Sequence, residues 1–120
     1  MASDRYHEAH DSLSRETHQL HQAIASLMEE LEAVDWYQQR IDASTNDELK
    51  LILAHNRDEE KEHAAMLLEW LRRRDPCFEE QLKSYLFSTG DVAEQEEAET
   101  GTAGAGAESL RIGSLRKPGE

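Results

Sequence analysis

Glycine is missing from this 120-residue chain until Gly90, and its only prolines are Pro76 and Pro118. Upstream of Pro76, therefore, neither usual helix breaker interrupts the apolar pattern, and long continuous helices are permitted. No strand signal accompanies them. Cys77 is the single cysteine, which excludes an internal disulfide and fits a reducing compartment. There is no apolar run long enough to span a bilayer and no signal-peptide core behind the N-terminus, so a soluble, cytoplasmic protein without a membrane partner is expected. Basic residues are also scarce. With 13 Lys and Arg against 26 Asp and Glu, the net charge is -13, which argues against a nucleic-acid partner and favours metal cations.

What is present is helical periodicity. Leu13, Leu20, Ile24, Leu27, Leu31, Val34 and Ile41 keep a three-four rhythm that predicts one helix from about Asp11 to Arg40, roughly 45 Å long at ~1.5 Å per residue. Asp42, Ala43 and Ser44 break that rhythm. Thr45 with Glu48 reads as a capping box opening a second helix that runs to Arg74, where three consecutive arginines suit the negative end of the helix dipole. Asp75 then caps, and Pro76 starts a short third helix with Phe78, Leu82, Tyr85 and Leu86 on one side. The fold class is all-α: an antiparallel two-helix hairpin plus a short C-terminal helix. The expected divisions are a flexible N-terminus over residues 1–10, a helical domain over 11–88, a disordered linker over 89–109 and a separate tail over 110–120. From Asp91 to Ser109 the chain is almost entirely Glu, Ala, Gly and Thr, too poor in apolar side chains to offset its ordering entropy. A hairpin this small leaves part of each apolar seam uncovered, so an obligate homo-oligomer is expected.

The seam of the second helix contains an anomaly. Leu49, Leu53, Asn56, Glu60, His63, Leu67 and Trp70 follow alternating steps of four and three, so a Glu-x-x-His pair interrupts an apolar face. An unpaired charge there costs several kcal/mol. A carboxylate and an imidazole three residues apart on one helical face can chelate a metal, although an ion pair without metal is the plainer alternative. The first helix repeats the anomaly, because Ala23, Leu27, Glu30, Val34, Tyr37 and Ile41 form a seam that Glu30 interrupts. With the turn centred between Ala43 and Ser44, Glu30 lies about one helical turn from Glu60 and His63. One chain then holds half the ligand set of a di-iron carboxylate bundle, and two chains complete four helices with four carboxylates and two imidazoles. Four carboxylates balance two divalent cations, and hard oxygen with some imidazole suits iron or manganese.

At these residues the sequence resembles a known family. Met28-Glu-Glu-Leu-Glu-Ala-Val-Asp-Trp-Tyr37, His55-Asn-Arg-Asp-Glu-Glu-Lys-Glu-His-Ala-Ala65 and Leu68-Glu-Trp-Leu-Arg-Arg73 resemble the encapsulated ferritins, cargo ferroxidases of bacterial and archaeal encapsulin compartments. The likeness covers about Ala23 to Phe87 together with Leu110-Arg-Ile-Gly-Ser-Leu115. It implies that Glu30, Glu60 and His63 are the di-iron ligands, shared across a homodimer in a ferritin-like four-helix bundle. It further implies that Glu29 and Glu32 form an acidic site where metal enters, with Trp36 beside it and Tyr37 close to the iron centre. The assembly it implies is a decamer of five dimers that hands oxidised iron to the shell lumen for mineralisation and storage. Calcium, manganese and zinc are the other ions expected to occupy such sites in vitro.

Other features carry plainer readings. By spacing alone Glu29 and Glu32 form a solvated acidic face about 100° round from Glu30, and only the resemblance supports metal entry there. His7, His10, His18 and His21 make two His-x-x-His pairs that read as surface, as do His55 and Cys77, while Trp70 reads as packing. The run Leu110, Ile112, Gly113 and Leu115, with Arg116 and Lys117 beside it, fits a short docking motif or an inert tail; the resemblance makes it an encapsulin-targeting peptide. A contrasting expectation is a non-catalytic helical cargo or adaptor protein whose metal only staples the oligomer interface.

Overall fold

Residues 6–96 are described in the computed structural model, and they contain helix and turn without strand. The fold class is all-α, as the periodicity predicts. Two long helices, α1 (Arg15–Ala43) and α2 (Asp47–Arg74), pack against each other as a hairpin.

The boundaries come from side-chain capping and differ from the periodic expectation. The first helix starts at Arg15 rather than Asp11, because Ser14 turns to extended backbone and its hydroxyl accepts from the Thr17 N–H. Residues His10–Ser12 form only a 3-10 turn before it. At the other end α1 runs past Arg40 to Ala43, and the Ser44 N–H donates to the carbonyls of Arg40 and Ile41. The opening cap of α2 is Asn46 and not Thr45: its side chain accepts from the Leu49 N–H at 2.9 Å. Asp75 closes α2 as expected. The Arg74 guanidinium lies 3.8 Å over the Trp70 ring, and its Nη1 donates to the Trp70 carbonyl. Arg72, then Arg73, hold the Glu69 carboxyl down to about 2.

Only Ala23, Ala64 and Leu71 are buried among the described residues, and none of them completely. The small side chains of Ala23 on α1 and Ala64 on α2 are both buried. The α1 seam predicted to face α2 is shielded throughout: Leu27, Glu30, Val34, Tyr37 and Ile41 are all at least partly covered. The α2 seam is shielded from Leu53 to Trp70, whereas Leu49 stays 45% exposed. A second apolar stripe on α1, Leu20, Ile24, Met28 and Leu31, remains open to solvent. The hairpin therefore has one satisfied seam and one unsatisfied one.

Chain contacts divide the molecule into two units, Met1–Pro76 and Cys77–Glu120. The second contains most of α3 (Pro76–Tyr85), on which Phe78, Leu82 and Tyr85 are half-buried. Phe87 follows with a positive φ of 62° and a fully exposed ring. Composition reads as linker from residue 89, yet residues 92–96 are helical, with the Asp91 carboxylate accepting from the Ala93 N–H at 2.9 Å. The terminal run with Leu110, Ile112, Gly113 and Leu115 lies outside the described residues.

Candidate metal centre

Three side chains converge midway along the hairpin. Glu30 comes from α1, while Glu60 and His63 come from consecutive turns of α2, three residues apart on one face. His63 Nδ1 lies 3.3 Å from Glu60 Oε1 and 3.5 Å from Glu30 Oε1. Each of the three offers one ligand atom, and these atoms all lie within 4.8 Å of one another. Among the described residues this is the one such group of three or more acidic, histidine or cysteine side chains.

Protons are the stand-ins for a cation here. Two carboxylates this close cannot both ionise freely. Hydrogen bonding to Glu60 pushes the Glu30 carboxyl up, with burial adding to it, while the same bond holds Glu60 down. The imidazole of His63 is raised, first by its hydrogen bond to Glu60 and then by the charges around it, against the opposing effect of burial. The donor set is two hard oxygens and one imidazole nitrogen, which fits iron or manganese. Two carboxylates also match the charge of one divalent ion per chain.

Glu30 and His63 line a groove of about 740 Å³ that also takes in Gln22, Ser26, Met66 and Trp70. The groove is open, so among the described residues Glu30 and His63 both face an uncovered surface. Of the remaining predicted residues, Glu29, Glu32 and Trp36 are outside the three-residue cluster, and Glu32 and Trp36 are exposed. Tyr37 is half-buried on the α1 seam with the Arg40 guanidinium 5.5 Å over its ring. The N-terminal histidines do more than decorate a surface. His18 Nε2 donates to the His10 carbonyl at 2.9 Å, and Tyr6 stacks on His21 at 4.1 Å, which pins residues 6–12 to the start of α1.

One residue escaped the sequence reading. Glu59 lies 3.9 Å from His63 Nε2 through one oxygen and 3.7 Å from His55 Nε2 through the other. The signal was the four-residue spacing of His55, Glu59 and His63, hidden in a run of charge.

A model of the family described as EncFtn-like matches residues 5–89, the whole hairpin and its metal-ligand cluster. The chain belongs to the EncFtn-like family. It is 53% identical over 127 residues to the encapsulated ferritin-like protein of Rhodospirillum rubrum, covering 97% of this chain and 91% of that protein. It is 34% identical over 100 residues to the encapsulin nanocompartment cargo protein EncC of Myxococcus xanthus, covering 73% of this chain and 77% of the relative. A crystal structure of a Nitrosomonas europaea protein superposes with a TM-score of 0.72 at 62% identity, covering 73% of this chain and 97% of that one. As an EncFtn-like hairpin, the chain thus shares its fold with a solved structure and its family with proteins named for encapsulation.

Proposed function

We propose that this chain is a ferroxidase that oxidises Fe(II) with O₂ at a centre shared between two copies, as cargo of an encapsulin compartment. The carrying observation is the convergence of Glu30, Glu60 and His63, whose potential ligand atoms lie within 4.8 Å of one another, with Glu30 and His63 on a groove that the described residues leave open. Iron is the substrate. Two chains related by a two-fold axis bring four carboxylates and two imidazoles together, enough for two ferrous ions, each of which gives one electron to oxygen. The carboxylates tolerate the rise in iron charge, and His63 fixes geometry. Leu27, Val34, Leu53 and Leu67, all partly shielded, limit water around the ligands.

Encapsulin association is supported by the family and by the names of the relatives. The proposed tether is the tail, with Leu110, Ile112, Gly113 and Leu115 as its docking side chains, and the proposed assembly is a decamer of five dimers. Glu29 and Glu32, with Trp36, are proposed as the acidic site where iron enters, and Tyr37 as a neighbour of the centre.

Anaerobic loading with Fe(II) followed by air tests the reaction. Rapid oxidation with a stoichiometry near two irons per dimer, lost in Glu60→Ala, is expected. Tight binding with no acceleration of oxidation overturns the enzyme reading and leaves metal as an interface staple.

A further inference from the structure

The two nitrogens of His63 face different partners. Nδ1 points at Glu60 and Glu30, 3.3 Å and 3.5 Å away, and so belongs to the cluster. Nε2 points out of it. Among the described residues the carboxylate in ionic contact with Nε2 is Glu59, at 3.9 Å. The other oxygen of Glu59 lies 3.7 Å from His55 Nε2, so this carboxylate is approached by imidazoles on both sides. His55, Glu59 and His63 are each four residues apart and share one face of α2.

An imidazole that ligates through one nitrogen must carry its proton on the other, and metal-binding histidines donate that proton to a carboxylate, a carbonyl or water. We propose that Glu59 is a positioning residue for His63, accepting the Nε2–H so that the Nδ1 lone pair is the one presented to Glu30 and Glu60. At 3.9 Å the contact is ionic and longer than a hydrogen bond; a small turn of either side chain closes it, as functional contacts tighten on loading. His55 holds the far oxygen and keeps the near one aimed at the ring. The inference rests on the reading of His63 as a ligand and adds a residue to that site.

Zinc, diamagnetic and inert to redox, is the probe, used with the full chain labelled with ¹⁵N at histidine. In the zinc-loaded wild type, long-range ¹⁵N–¹H spectra should show metal on His63 Nδ1 and a proton on Nε2 that exchanges slowly with solvent. Glu59→Ala should lose that resonance to exchange and weaken zinc binding by about 10- to 100-fold in calorimetry. Glu59→Gln keeps a carbonyl acceptor and should restore the resonance and most of the affinity. An alanine variant that matches wild type in both readouts overturns the inference alone, as does a glutamine variant no better than alanine. If His63→Ala binds zinc as wild type does, the ligand reading fails and this inference falls with it.

Discussion

At Glu30, Glu60 and His63 a proton and a cation compete for the same atoms. Metal must displace whatever hydrogen Glu30 and His63 retain, and both groups are raised. Zinc affinity should therefore climb as pH rises through the His63 titration, above the ordinary ~6.5, with proton release visible as a buffer-dependent calorimetric enthalpy. The metal-free protein should behave oppositely. A histidine raised in the folded state contributes stability that is complete below its unfolded value and disappears as pH passes its folded value. Chelated protein should thus lose melting temperature as pH rises past the ordinary histidine value and through the raised His63 titration, while loaded protein gains it. Single replacement of Glu30, Glu60 or His63 by Ala would remove two ligands from the proposed symmetric centre, so each should abolish most Fe(II) oxidation in stopped-flow absorbance. These three were legible in the sequence because each is a polar interruption of an apolar seam, where burial makes a lone charge costly. Glu59 had no such contrast. It sits on a face where charge is ordinary, and its four-residue spacing from His55 and His63 is lost in a run of charge until the ring orientation of His63 is seen.

Helices were legible as elements because periodicity is summed over many residues, whereas their ends depend on single hydrogen bonds. Thr45 with Glu48 satisfied a capping pattern, but Asn46, one residue later, makes the bond. Asp11 opened the periodic stretch, yet Ser14 caps it. Replacement of Asn46 by Ala should accordingly cost about 1 kcal/mol in urea unfolding, while Thr45→Ala should be near neutral. Leu71 is the most buried side chain of the core, at 4% exposure. Leu71→Ala should cost about 2 to 5 kcal/mol by the same measurement, since little around it can collapse into the space. The terminal run proposed for docking could be read only as a motif, because three apolar residues behind a polar stretch carry no periodicity that would specify a fold.

For the whole molecule, the open stripe of Leu20, Ile24, Met28 and Leu31 and the open groove at His63 are the surfaces on which the proposed second copy of the chain would pack. Chelation should shift native mass spectra toward smaller species, and Fe(II) should restore the larger one, because unneutralised carboxylates repel across the proposed interface. Truncation after Ser109 should leave that assembly and its oxidation rate intact while abolishing loading into a co-expressed shell. With only three buried residues among those described, the hairpin is also subject to mass action. If association supplies most of the apolar burial, folding free energy is a function of protein concentration, and for a dimer each tenfold dilution removes about 1.4 kcal/mol. The melting temperature should fall on dilution, and oxidation per chain should fall with it, so that below a threshold concentration the chain neither folds nor works. Newly made, scattered copies would then carry no active iron chemistry, and activity would begin only where copies accumulate.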